Sequence, residues 1–227
     1  MLSTDLFEKY ENGEGCLVYP CYFTVENSLD MGERRLEVIR RWINEVVRDP
    51  GISLLKQPLF SVITFSDTAS VLSELNIPSN SFDLPKIDCQ GSAKFSPLFR
   101  LLHETLNRDV ESLRSENQLA LYRLCFLFSL GKVADAEEYF SDFDRLRNRS
   151  QCHTPVIISV NMSDADSELL SHVATRSNQL LSYRVDESSW HLPLLKELVY
   201  FTINLFSGDA LPVTAWKPLV PPTSIDL

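Results

Sequence analysis

Apolar residues follow two patterns along the chain. Some form short continuous runs, and others recur at a spacing of three and four residues over longer stretches. The short runs predict strands at residues 16–25, 59–65, 70–75, 121–129, 155–161 and 180–185. The longer stretches predict helices at residues 31–48, 93–115, 134–148, 166–177 and 192–206. This alternation predicts an α/β fold with a mostly parallel central sheet, one antiparallel edge strand and helices on both faces.

The two ends of the chain fall outside this alternation. Residues 1–15 are polar and acidic, and we interpret them as an N-terminal arm on a domain that spans residues 16–206. Residues 207–227 contain four prolines, which disfavour a further helix or a central strand. They predict an extended C-terminal tail.

Oxygen-bearing side chains gather where the predicted strands end. In open α/β sheets, ligands bind outside the carboxyl ends of the strands, which here are the loops at 26–30, 90–92 and 129–131. The first of these loops reads E-N-S-L-D, with Glu26 and Asp30 at its two ends. Carboxylates and hydroxyls are the ligands that hard cations prefer, so this loop is a candidate cation site.

Charge and hydropathy exclude several classes of partner. The net charge of the chain is −10 at pH 7, and a field of that sign repels phosphate backbones, so we expect no nucleic-acid partner. No run approaches the roughly 18 consecutive apolar residues that a membrane span needs. The first residues lack the basic flank and apolar segment of a secretory signal. These features predict a cytoplasmic protein that does not associate with membranes.

The residues that usually carry catalysis form no recognisable motif. Five cysteines occur without a C-x-x-C pair, and Cys125 lies inside an apolar run, which predicts a core residue. Four histidines are scattered without zinc-ligand spacing. Glycine-rich nucleotide loops and the G-x-S-x-G motif are absent, so we predict that the protein is not an enzyme. A weaker hypothesis is a hydrolase that uses Glu26 and Asp30 as paired acid and base.

Four short segments resemble, in order and spacing, the motifs of von Willebrand factor A (vWA) domains. They read E-N-S-L-D-M at 26–31, S-V-I-T-F at 61–65, Q-G-S-A at 90–93 and F-L-F-S-L-G at 126–131. In style they are similar to the bacterial tellurite-resistance-associated (TerY-type) A domains, whose segments read D-T-S-G-S-M, V-x-V-I-T-F, G-G-T-S and F-L-L-T-D-G. The resemblance covers residues 16–206 and implies a Rossmann-like vWA fold.

The resemblance also implies a metal-ion-dependent adhesion site, but with altered ligands. Glu26 stands where the family has its first aspartate, and Ser28 matches the family serine. Asp30 replaces the second serine and Ser92 replaces the threonine, so both positions still offer oxygen. Leu130 replaces the strand-end aspartate and supplies none. The departures imply a degenerate, vacated site with no cofactor. The alternative is a relaxed Mg²⁺ or Ca²⁺ site formed by Glu26, Ser28, Asp30 and Ser92.

A second alignment of the motifs changes the last ligand. If strand 155–161 were the strand that carries the family aspartate, Asn161 would take its place, and an aspartate could come from Asp135, Asp164 or Asp166. We favour the first alignment because it leaves helix 134–148 and strand 155–161 with counterparts in the family.

The function that the resemblance implies is protein–protein interaction by an adaptor or scaffold without chemistry of its own. It further implies a bacterial, cytoplasmic stress-response or phage-defence complex, with a phosphatase, kinase or ATPase encoded nearby as partner. We expect the contact surface at residues 26–31, 66–69, 90–95 and 130–133. The residues predicted to bind the partner are Glu26, Asn27, Asp30, Asp67, Ser92, Lys94 and Lys132. The alternative function is metal-dependent ligand binding.

Overall fold

A computed structural model describes most of the predicted α/β domain. The described residues are 15–53, 57–148, 153–162, 168–175, 181–185, 187 and 194–207. Nearly all of the predicted arm (1–15) and tail (207–227) lies outside this set, as do Asp164 and Asp166.

The described chain forms a seven-stranded sheet with β1 near its centre. The strands are β1 (Cys16–Glu26), β2 (Pro58–Phe65), β3 (Ala69–Asn76), β4 (Gln118–Ala120), β5 (Leu124–Ser129), β6 (Val156–Asn161) and β7 (Ser182–Arg184). Their order is β3-β2-β1-β5-β6-β7, with the short β4 pairing the beginning of β1. Only the β2–β3 pair among these strands is antiparallel. The predicted mostly parallel sheet with one antiparallel edge strand is therefore confirmed.

Helices cover both faces of this sheet, as predicted. They are α1 (Gly32–Arg48), α2 (Pro50–Ser53), α3 (Phe95–Ser115), α4 (Phe140–Arg147), α5 (Glu168–Val173) and α6 (Leu194–Ser207). One apolar cluster joins α1 and α6 to one face, and a second joins α3, α4 and α5 to the other. Within the described part of the chain, no helix has the length and apolar character needed to cross a membrane.

Successive side chains of β1 point to opposite faces of the sheet, so this strand contributes to both apolar clusters. Phe23 points into the cluster of α1 and α6, where its ring centroid lies 5.5 Å from those of Phe60 and Phe126. Tyr22 belongs to the opposite cluster with α3. A central parallel strand must be apolar on both faces because helices cover both sides. This is why the strand reads as a nearly continuous apolar run in the sequence.

Two of the expected elements begin several residues later in the structure, and the short elements α2 and β4 were not expected. The helix expected at 134–148 begins only at Phe140, and the residues before it form turns, one of which holds Asp135 against the start of α3. The strand expected at 121–129 begins at Leu124, and a separate short strand, β4, precedes it. β4 has only three residues and was not predicted as a separate strand.

The register of the sheet decides what lies beside the end of β1. Val25 pairs with Phe128 of β5, and Glu26 pairs with Phe65 of β2. Strand β5, which contains Cys125, is thus the direct neighbour of β1, and Asn161 of β6 lies one strand further away. The residues after β5, rather than those after β6, therefore face the loop that follows β1.

Candidate functional site at the carboxyl edge of the sheet

The four loops of the predicted contact surface lie together and are linked through their backbones. We call this surface, residues 26–31, 66–69, 90–95 and 130–133, the loop face. Three backbone hydrogen bonds join its loops: Leu29 N–H donates to the Gly91 carbonyl, Gln90 N–H to that of Asn27, and Lys94 N–H to that of Ser66. Ala134, next to the face, donates its N–H to the Ala93 carbonyl. The face is thus a connected unit of backbone.

The carboxylate of Glu26 is fully buried beneath this face and accepts three hydrogen bonds. Its Oε1 accepts the Ser28 hydroxyl at 2.6 Å. Its Oε2 accepts the Ser129 hydroxyl at 2.5 Å and the Leu130 N–H at 2.9 Å. Hydrogen bonds to a charged acceptor are shorter and stronger than neutral ones. These three donors satisfy the buried carboxylate.

The two serine hydroxyls that donate to Glu26 also accept hydrogen bonds from backbone N–H groups of the loops. Ser129 Oγ accepts the N–H of Gly131 at 3.0 Å, and Ser28 Oγ accepts the N–H of Met31 at 3.3 Å. Hydrogen bonds in such chains polarise and strengthen one another. The Glu26 carboxylate thereby orders the turn after β1 and the exit of β5 together.

Asp67 holds Ser92 by two hydrogen bonds. The exposed Asp67 carboxylate accepts the Ser92 hydroxyl at 3.0 Å and the Ser92 N–H at 3.2 Å, and Lys94 Nζ lies 3.4 Å from it. Gly91 has φ +56°, and a Cβ at this position would collide with the Asp67 carboxylate. The close approach of the two loops therefore requires glycine.

The hydrogen bonds from Ser92 lower the pKa of the Asp67 carboxyl, and this shift can be tested. The Ser92 hydroxyl and N–H, then Lys94, hold the pKa of the Asp67 carboxyl below its ordinary value of 3.8. A depressed folded-state pKa contributes stability above the unfolded value, and this contribution is lost as pH falls through the folded value. We expect the Ser92 amide resonance to titrate with a midpoint below 3.8 in an acid NMR titration. Asp67→Asn is the control that should abolish this transition, and a midpoint at or above the ordinary value would contradict the assignment.

Asp135 links the turns before α4 to the start of α3 at the loop face. Its buried carboxylate accepts the N–H groups of Phe95 at 2.9 Å and Ser96 at 2.7 Å, the first residues of α3. Lys94, in the N-cap position, makes no side-chain cap bond. Asp135 thus caps α3 from a distant part of the chain, which leaves it bound to the helix rather than to a ligand.

The remaining predicted partner-binding residues divide into buried and exposed ones. Asn27 is buried, and its side-chain amide donates to the Asp88 carbonyl at 3.0 Å. Asp30 and Lys132 are exposed. Leu29 was not among the residues singled out from the sequence, yet its side chain is 67% exposed on a turn held by Gly91. No periodic pattern marks an exposed leucine in a loop.

The hydroxyls among the candidate metal ligands donate to carboxylates of the chain. Glu26 and Ser28 hydrogen-bond to each other, Ser92 binds Asp67, and Leu130 packs in the apolar cluster beside α1. Across the residues that the structure describes, no group of three or more histidine, cysteine, aspartate or glutamate side chains is placed to hold a metal ion.

The thiols deepest in the described core have the properties of structural residues. Burial raises the pKa of the Cys125 thiol to about 12, and it raises that of Cys21 well above its usual range. A thiol must ionise to act as a nucleophile, so neither group is activated at neutral pH. The prediction that Cys125 is a core residue is confirmed.

Comparison with known proteins identifies the fold. No family model and no curated protein matches the sequence. Proximal thread matrix protein 1 from the mussel byssus, in a structure with zinc in its MIDAS motif, is 12% identical with a TM-score of 0.59, over 84% of this chain and 48% of that one. A von Willebrand factor type A protein from Catenulispora acidiphila is 12% identical with a TM-score of 0.57, over 86% and 43%. The chain has the vWA fold.

A third solved structure supports the same assignment. The ArnB paralog VWA2 from Sulfolobus acidocaldarius is 17% identical with a TM-score of 0.52, over 79% of this chain and 43% of that one. The chain thus spans about half the length of the solved proteins it matches, or slightly less. At such low identity, the likeness shows the vWA fold alone.

Proposed function

We propose that this chain is a non-catalytic protein–protein interaction module, an adaptor or scaffold, whose loop face binds its partner without a metal ion. The observation that carries the proposal is the Glu26 carboxylate, which is buried and accepts hydrogen bonds at both oxygens from neutral donors of the chain itself. In this proposal the metal site of the TerY-type family is largely vacated. The setting that we propose is a bacterial, cytoplasmic stress-response or phage-defence complex with a phosphatase, kinase or ATPase.

The side chains of the loop face suit a direct contact between proteins. Leu29 is 67% exposed and offers an apolar group near the acidic Asp30, and the basic Lys132 extends from another loop of the same face. An apolar anchor with a polar surround is the usual arrangement at the centre of a protein interface. A preformed surface also loses little conformational entropy on binding.

The hydrolase hypothesis receives little support from this arrangement. An acid/base pair needs two carboxylates within reach of a substrate, and the Glu26 carboxylate is buried under the loop that carries Asp30. Both Glu26 oxygens already accept hydrogen bonds from the chain. We therefore propose no reaction for this site.

A capture experiment tests the proposal. The full chain is immobilised, a lysate of the organism that encodes it is applied, and captured proteins are identified by mass spectrometry in excess EDTA and in excess MgCl₂. We expect the same partner in both buffers. Leu29→Asp should weaken its binding about tenfold or more, because it places an unpaired charge at the centre of the interface.

Ile77→Asp is the matched control for this experiment. Ile77 is 69% exposed, which is close to the exposure of Leu29. It follows β3 near the start of β2 and therefore lies away from the loop face. We expect this variant to capture the partner as well as the unchanged chain does. Capture only with Mg²⁺ would favour the alternative, metal-dependent binding. Equal loss in both variants would remove the loop face as the contact surface.

A further inference from the structure

A side chain of the protein itself joins the two loops that a cation would bridge in this fold. Glu26 is the last residue of β1, and its Oε2 accepts both Ser129 and Leu130 at the exit of the neighbouring strand β5. Its Oε1 accepts Ser28 in the loop after β1. One carboxylate therefore spans the gap between the two strand ends.

The length of the side chain explains this reach. Glutamate carries its carboxylate one methylene further from the backbone than aspartate does. In the structure this extension brings one oxygen of Glu26 within hydrogen-bond distance of Ser129 and Leu130 on the neighbouring strand, while the other still contacts Ser28 in its own loop. The substitution that weakens the family's metal site also places the carboxylate between the loops.

The same groups do not fit a divalent cation. Mg²⁺ needs oxygen ligands with free lone pairs in an octahedral arrangement at about 2.1 Å. The hydroxyls of Ser28 and Ser129 donate to Glu26, and the Ser92 hydroxyl donates to Asp67. A hydroxyl that donates keeps its lone pairs, but the oxygens of Ser28 and Ser129 also accept the N–H groups of Met31 and Gly131, which leaves one lone pair on each. Leu130 offers no side-chain oxygen.

We infer that Glu26 is the positioning residue that holds the loop face in place of a bound cation, and that the face keeps one conformation whether or not divalent cations are present. Asp67 and Asp135 act in the same way on the two other loop pairs, 66–68 with 91–92 and 133–135 with 95–96. The inference rests on the proposed function only for the role of the loop face as the contact surface.

Amide hydrogen exchange of the full chain tests this inference. The reporters are the N–H groups that depend on Glu26 directly or through a serine hydroxyl, those of Met31, Leu130 and Gly131. In the unchanged protein, we expect their exchange rates in excess EDTA, MgCl₂ and CaCl₂ to agree within about twofold, because no cation contributes to their protection.

The Glu26→Gln variant supplies the second half of the test. It keeps the size of the side chain but replaces the charged acceptor, so exchange at Leu130 and Gly131 should accelerate about tenfold. The N–H groups of Phe95 and Ser96, which Asp135 holds, are internal controls and should change by less than about twofold.

Two outcomes would overturn the inference. In the unchanged protein, slower exchange of the reporters with Mg²⁺ or Ca²⁺ than with EDTA would show that a cation holds the loops, and this measurement does not depend on any variant folding. Unchanged rates at Leu130 in Glu26→Gln would show that the carboxylate does not position the loop. A different result would contradict the proposed function, namely that the Leu29→Asp variant captures the partner as well as the unchanged chain does.

Discussion

Replacing Glu26 with alanine should lower the free energy of unfolding by about 3 kcal/mol. The substitution removes three hydrogen bonds to a charged acceptor and leaves the hydroxyls of Ser28 and Ser129 and the N–H of Leu130 without that acceptor in a buried site. A hydrogen bond to a charged group contributes about 1.5–3 kcal/mol, and each abandoned buried donor costs about 1–3 kcal/mol. Water entering the space left by the side chain recovers part of this sum.

Chemical denaturation of the purified full chain measures this loss. Glu138→Ala, at an exposed glutamate outside the loop face, is the matched control and should change the unfolding free energy by less than about 0.5 kcal/mol. Glu26→Gln should fall between the two, because its amide oxygen retains one acceptor. A Glu26→Ala protein as stable as the unchanged chain would show that the carboxylate is not held as described.

Replacing Asp135 with alanine should lower the free energy of unfolding by about 2 kcal/mol. The loss has two causes, since the N–H groups of Phe95 and Ser96 lose their acceptor and the positive end of the α3 dipole loses a nearby negative charge. The effect should be local first, with faster amide exchange at Phe95 and Ser96 than in the unchanged protein.

Denaturation and exchange measurements on matched variants check the second expectation. Asp135→Asn keeps one carboxamide oxygen as an acceptor and should lose about half as much stability. Asp144→Ala changes an exposed aspartate of α4 and should be close to neutral. Equal stability of Asp135→Ala and the unchanged chain would contradict the assignment of Asp135 as the cap of α3.

The stability of both sites can be separated from binding. Asp135 acts on the start of α3, and Glu26 acts on the turn after β1 and the exit of β5. Leu29, by contrast, is exposed, and its substitution should leave the fold intact while weakening the partner complex. Measuring stability and capture on the same variants therefore distinguishes residues that hold the loop face from residues that touch the partner.

Much of the fold could be predicted from the sequence because apolar periodicity is a local property. The spacing of apolar positions indicated the strands and helices. The alternation of strands and helices indicated a parallel sheet whose carboxyl edge carries the loops. The helix expected at 134–148 was wrong in its first turns, since a tertiary contact of Asp135 with α3 occupies that segment. Local pattern alone cannot anticipate a bond between residues 40 positions apart.

The sequence by itself determined the chemical identity of the loop residues, and with it that Leu130 offers no side-chain oxygen at the strand end. Only the tertiary structure decided which donor each carboxylate meets. The sheet order places β5 beside β1, so that Glu26 meets Ser129 and Leu130, and the loop packing turns Ser92 toward Asp67. Hydrogen bonds depend on distance and direction in space, and residues 104 positions apart in sequence become partners only when the strands pair.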